Sequence, residues 1–172
     1  MTLAVQRQIG GLEYLTEVTD GPVIKGVFDE HRVSITADGR TWIRKRVVIT
    51  GDQPLVAEAV AWLLAMELGL PVPHAAILVA PDHNDTSWLS QEVSPMLQWD
   101  DGDAAAVVNI EALGRVIALD TLTLNNDRHQ GNLIVQALAP GQLLMWAIDS
   151  GNGWSRKGKR SPKSCGTAVN TL

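Results

Sequence analysis

The chain has 172 residues, 45% hydrophobic and 19% charged, a globular balance at a length that suits one domain or two small lobes around a cleft. No apolar stretch nears the ~18 residues of a membrane span, Met1–Gly11 lacks the basic and apolar parts of a signal peptide, and the lone Cys165 excludes an intrachain disulfide. The expectation is a cytoplasmic protein whose formal charge of −5 conceals a basic end: five of the 14 Lys and Arg follow Trp154 with no acid, leaving 9 basic and 19 acidic groups before it.

Short apolar runs at 22–28 and 32–36 predict strands, and Asp38-Gly39 signals a hairpin into a longer strand over 41–49. Alternation there puts Ile43, Lys45, Val47 and Ile49 on one face, Arg44 and Arg46 on the other. Lys45 thus projects from an apolar face, where a charge must meet phosphate or carboxylate, or snorkel to solvent at an edge. Asp52 can cap a helix from about Gln53 to Leu68, which tolerates Pro54 in its first turn and stops at Gly69. Its apolar face comprises Leu55, Ala59, Trp62, Leu63 and Met66. Glu58, isolated among Val56, Ala57, Ala59, Val60 and Ala61, is either a partner for Lys45 or an acid suited to the helix dipole. Strands follow over 75–80 and 86–93, separated by the polar turn 81–85. The polar stretch 94–103 reads as a hinge. A second helix covers 109–124, with Ile110, Leu113, Ile117 and Thr121/Leu124 on one face. Beyond Ser150 the chain is polar and aperiodic. Basic tails can bind nucleic acid, but this one has no interleaved aromatics for base stacking and is expected to be solvated and disordered.

The chemistry concentrates in Leu124-Asn125-Asn126-Asp127-Arg128-His129-Gln130-Gly131-Asn132 and in Asp149, seventeen residues after Asn132. The apolar runs 133–135 and 143–148 flank Ala139-Pro140-Gly141-Gln142, a turn by its Pro-Gly pair. A hairpin folded midway sets Asn132 opposite Asp149, and two oxygen ligands on neighbouring strands suit a small hard cation. Asp127 could accept a hydroxyl proton nearby, which completes a phosphoryl-transfer site. Each piece by itself also has a plain reading as a polar turn.

A family resemblance extends these observations. The segment Glu58-Ala59-Val60-Ala61-Trp62-Leu63-Leu64-Ala65-Met66-Glu67-Leu68-Gly69-Leu70-Pro71-Val72-Pro73 resembles the helix and following strand of HipA-like kinases. Asn125-x-Asp127-Arg128-His129-x-x-Asn132 is similar to their catalytic loop, and to that of phosphatidylinositol kinases of the same atypical fold. Ile148-Asp149-Ser150-Gly151 resembles their metal-binding Asp-x-Gly segment. The resemblance implies an α+β, two-lobed protein-kinase-like fold with ATP and Mg²⁺ between the lobes. An N-lobe over 1–93 would hold an antiparallel sheet and one helix. A reduced helical C-lobe over 94–154 would carry the catalytic loop and metal-binding hairpin, with a basic tail over 155–172. It implies Asp127 as catalytic base, Asn132 and Asp149 as metal ligands, and Lys45 on the phosphates with Glu58 as its partner. Glu92 and Val93 would lie near the hinge that receives adenine. Asp120 and His129 would support the loop, and Arg128 would form a structural salt bridge or hold an anion.

Two departures bear on function. Gly10-Gly11, Gly21 and Gly26 form no glycine-rich phosphate loop, and 23 residues follow Asp149 where the family has a helical lobe. Three expectations stand: a kinase for hydroxyl acceptors such as protein Ser/Thr, an inactive nucleotide-binding pseudokinase or truncated fragment, and a phosphatidylinositol-type lipid kinase.

Overall fold

The computed structural model describes residues 8–9, 11–16, 18–25, 30–36, 39–46, 53–79 and 86–151. In chain order the strands and α-helices are β1 (Gln8–Ile9), β2 (Leu12–Leu15), β3 (Thr19–Lys25), β4 (Glu30–Ile35), β5 (Thr41–Arg46), α1 (Gln53–Glu67), β6 (Ala75–Val79), β7 (Thr86–Gln91), β8 (Met96–Gln98), α2 (Ala112–Thr123), β9 (Leu133–Ala139) and β10 (Gln142–Ala147). Short 3₁₀ helices at Asp101–Ala106 and Gln130–Asn132 complete it. The expected cap Asp52, the strand residues Val47–Ile49, the turn 81–85 and the tail 155–172 lie outside the described residues.

Seven strands form one sheet in the order β1-β2-β6-β7-β5-β4-β3, antiparallel except where β2 runs parallel to β6. The first two strands have no signal in the apolar pattern. They are held by pairing, as Glu13, Tyr14 and Leu15 align with Ala76, Ile77 and Leu78. The β4–β5 hairpin turns where Asp38-Gly39 predicts it: the Thr36 amide donates to the Arg40 carbonyl at 3.0 Å, and Gly39 takes a φ of 83°.

Helix α1 crosses one face of this sheet. Trp62 packs there with Leu12, Ala75, Ile77 and Trp88, and its indole N–H donates to the Pro73 carbonyl at 2.8 Å. The opposite face buries Leu15, Trp42, Ala76, Leu78 and Leu89. The helix ends in a Schellman motif: the Leu70 and Gly69 amides donate to the Ala65 and Met66 carbonyls, with Gly69 at φ 64°. Its buried face differs in part from the expected one. Ala57, Ala61, Trp62 and Ala65 are buried while Met66 is exposed, because small alanines let the helix approach closely on both its flanks.

A third core joins α1 to the second half of the chain, with Ala65 and Leu70 meeting Val116 and Leu119 of α2 and Leu133, Val135, Met145 and Ala147 of the hairpin. Helix α2 corrects the expected face more fully. Ala112, Val116, Leu119 and Thr123 face the core, whereas Ile117 and Leu124 stand 68% and 74% exposed. Both stripes have helical spacing, and periodicity cannot choose between two apolar stripes on one helix. The stretch expected to be a hinge instead supplies β8, the third strand of the sheet β10-β9-β8. None of the described helices is long and apolar enough to cross a membrane.

Candidate functional site

Three distant segments meet at Lys45. On β5 it pairs with Trp88 across the sheet, so it shares the face that α1 covers, as the alternation predicts. Its Nζ lies 2.9 Å from Glu58 Oε1 on α1 and 2.7 Å from Asp149 Oδ1 beyond β10. Burial disfavours the ammonium, but the two carboxylates outweigh it and hold the Lys45 pKa above its ordinary value. Glu58, nearly enclosed, is pushed up by burial and by Asp149, against the downward pull of Lys45.

The hairpin register departs from expectation by one residue. Ala139 pairs with Gln142 but Ala137 with Leu143, so Leu138 is an extra residue, a β-bulge. The shift continues down the ladder to Leu133 opposite Ala147, and the Ile148 amide donates to the Asn132 carbonyl at 3.1 Å. Asn132 therefore faces Ile148 rather than Asp149. Asp149 falls just past the ladder in a left-handed conformation, φ 54°, which turns its carboxylate to Lys45. Leu124, the residue that ends α2, is the other non-glycine residue at positive φ among those described. Such backbone costs roughly 1–2 kcal/mol per residue and persists where surrounding contacts over-determine it.

Those contacts centre on Arg128. Nε and Nη2 grip the two Asp120 carboxylate oxygens at 3.0 and 2.8 Å. Nη1 donates to the carbonyls of Asn132 at 3.1 Å and Ile148 at 2.8 Å, and Nη2 also reaches Ser150 Oγ at 3.0 Å. Asn125 donates to Asp120 at 3.0 Å and accepts from the Asp127 amide at 3.2 Å, which orders the loop around Asp127. Asp127 is half-buried there. Asn132 is buried, and its Nδ2 donates to the Asp127 carbonyl at 3.3 Å, so its amide is oriented by the loop that carries Asp127. His129 Nδ1 accepts from the Gly131 amide at 3.1 Å and starts the 3₁₀ turn, a supporting contact.

Gly151 belongs to the Asp-x-Gly segment, but its close packing against Glu58 is not legible in the sequence. A Cβ there would fall 2.6 Å from Glu58 Cδ and 2.8 Å from Glu58 Cα, so the segment after Asp149 lies directly against α1. The Asp-x-Gly pattern marks the segment, but the partner lies 93 residues away in sequence. Alongside, a small open cleft of about 30 Å³ is lined by Glu58, Trp62, Trp88, Ser90, Asp149 and Ser150, among others. Glu92 and Val93 are not part of that lining; the Glu92 amide donates to the Thr41 carbonyl at 2.9 Å, and Val93 is buried. No group of three or more His, Cys, Asp or Glu side chains positioned for a metal occurs among the described residues. The candidate oxygen donors are one carboxylate, Asp149, and the amide of Asn132, on the two segments joined where the Ile148 amide meets the Asn132 carbonyl. That set suits Mg²⁺, which keeps several waters and takes one or two protein carboxylates with substrate phosphates.

The arrangement defines a reduced kinase-like fold: a large sheet and one helix packed on a smaller helix-and-hairpin part, with the charged cluster between them. Among solved structures, the chain is similar to a Helicobacter pylori proinflammatory kinase, CtkA, with a TM-score of 0.60 at 14% identity over 80% of this chain and 59% of that one. It thus spans about three fifths of that protein's length. No protein-family profile and no curated protein matches the chain.

Proposed function

We propose that the chain is an ATP- and Mg²⁺-dependent phosphotransferase of HipA-like type acting on a hydroxyl acceptor, protein serine or threonine. The observation that carries this is Lys45 Nζ bridging Glu58 and Asp149, a cation held between two carboxylates that line the cleft. In this reading Lys45 binds the phosphates of ATP and Glu58 keeps its ammonium aimed at them. Asp149 and Asn132 Oδ1 hold Mg²⁺, which neutralises phosphate charge when bound. Asp127 accepts the acceptor's hydroxyl proton as that oxygen bonds the γ-phosphorus and the bond to the β,γ-bridging oxygen breaks, releasing ADP. Adenine would lie toward the strand end at Glu92 and Val93.

Calorimetric titration of ATP with and without Mg²⁺, on wild type and Asp149→Ala, tests the nucleotide site before any acceptor is known. Tighter binding with Mg²⁺ in wild type alone supports the reading, and equal affinities in both proteins reject it. Transfer of labelled γ-phosphate, abolished by Asp127→Ala, tests turnover.

A second reading, a nucleotide-binding module without turnover, draws on the exposure of Ile117, Leu122 and Leu124 along α2 beside the Asp127 loop. It predicts thermal stabilisation by ATP with no label transferred. The lipid-kinase alternative has less support. It rests on the basic tail over 155–172, outside the described residues; in residues 94–151 the Lys and Arg side chains, Arg115 and Arg128, are engaged by protein acceptors.

A further inference from the structure

The two oxygen ligands proposed above flank a pair of strands, β9 and β10, whose register does not set them opposite each other. Asp149 is also held in a left-handed backbone conformation that its own strand does not impose. Something else must fix how far Asp149 stands from Asn132. One side chain reaches Asn132 and both chain neighbours of Asp149. Arg128 uses its five guanidinium N–H groups on five acceptors: two oxygens of Asp120, the carbonyl of Asn132, the carbonyl of Ile148 and the hydroxyl of Ser150. The last two belong to the residues immediately before and after Asp149.

We propose that Arg128 is a positioning residue that sets the separation of Asn132 and Asp149, an inference that rests on the phosphotransferase reading. Its reference point is α2. Asp120 follows Leu119, which is fully buried in the core shared with the hairpin, and the Asp120 carboxylate is itself steadied by Asn125. From that anchor the planar fork extends to the main chain at Asn132 and to both neighbours of Asp149. A structural ion pair would need only the two bonds to Asp120. The other three go to the segments that carry the ligands. Lysine cannot substitute, because its three donors radiate from one point and cannot span carboxylate, two carbonyls and a hydroxyl.

The test is Mn²⁺ binding, followed by electron paramagnetic resonance on the full chain, with Mn²⁺ standing in for Mg²⁺. Arg128→Lys keeps a cation beside Asp120 and should weaken Mn²⁺ binding about 10- to 100-fold, the scale for losing an outer partner of metal ligands. Its metal-free ATP affinity and far-UV dichroism should stay as in wild type. Ser150→Ala, which removes one bond of the five, should weaken Mn²⁺ about 2- to 10-fold. It decides the matter if Arg128→Lys does not fold: unchanged Mn²⁺ affinity in folded Ser150→Ala overturns the proposal. So does an Arg128→Lys protein that binds Mn²⁺ like wild type, or one that loses metal and metal-free ATP affinity in equal measure. If wild type and Asp149→Ala bind Mn²⁺ alike, the metal site itself is refuted and the proposal falls with it.

Discussion

Lys45→Met replaces the ammonium by a thioether of similar reach and leaves Glu58 and Asp149 with no cation between them. The Asp149 side chain is a third exposed and can hydrate, but that of Glu58 is only 9% exposed. A carboxylate enclosed without a partner takes up a proton instead of staying charged. Holding Glu58 neutral costs about 1.36 kcal/mol for each pH unit above its ordinary 4.5, which sets a ceiling of about 3 kcal/mol at pH 7 and under about 1 kcal/mol at pH 5. The ceiling matches the scale of about 3–5 kcal/mol for deleting one member of a buried ion pair. The sign follows from linkage. Glu58 has a raised pKa in the folded state, and the variant removes the one influence that lowers it. The folded variant then binds more protons than the unfolded chain, so its stability falls as pH rises above 4.5. Urea unfolding of wild type and variant, near pH 5 and near pH 7, should show the gap widening, by at most about 2.7 kcal/mol. A gap of the same size at both pH values would refute the argument, because it would mean that removing the cation makes Glu58 take up no additional proton in the folded state.

The same pair makes a prediction at the alkaline end. The pKa of Lys45 is held above its ordinary 10.5, so the stability it contributes is complete below that value and lost as pH rises through the folded one. Urea curves for wild type should therefore show no loss attributable to Lys45 between about pH 8 and pH 10; a Lys45-dependent decline in that window would contradict it. Gly151→Ala forces a methyl group into Glu58 and should cost about 1–3 kcal/mol and weaken Mg²⁺-dependent ATP binding, by thermal melting and calorimetry. A variant that melts and binds like wild type would show that the segment can yield without disturbing α1. Trp42 and Trp62 make a matched pair: the Trp42 Nε1 is buried with no hydrogen-bond partner among the described residues, while that of Trp62 donates to Pro73. Trp62→Phe should exceed Trp42→Phe in cost by about 1–2 kcal/mol in urea unfolding, and equal costs would refute the difference.

Local chemistry made much of the site legible in the sequence. The alternation of β5 decides which face Lys45 takes, because side chains on a strand repeat every two residues. The isolation of Glu58 in an apolar helix marks it as a group needing a partner, and its partner is Lys45. The C-terminal limit of α1 follows from Gly69, whose freedom at positive φ closes the helix. Strands β1 and β2 were illegible, since Gln8–Ile9 and Leu12–Leu15 carry too few residues for a periodic signal; β2 exists through pairing with β6, and β1 through pairing with β2.

Which stripe of α2 turns inward was decided by the shared core, where Val116 and Leu119 fit against the hairpin and α1 while Ile117 does not. The bulge at Leu138 belongs to tertiary structure too, for an extra residue in a hairpin is set by the contacts at both its ends. With it comes the one-residue slip that carries Asp149 past the ladder and toward Lys45, 104 positions earlier. Sequence order therefore specifies which groups have chemistry to offer, because that depends on residue type and near neighbours. Where Lys45, Glu58 and Asp149 meet depends on burial and register across three separate segments, and only the folded chain supplies those.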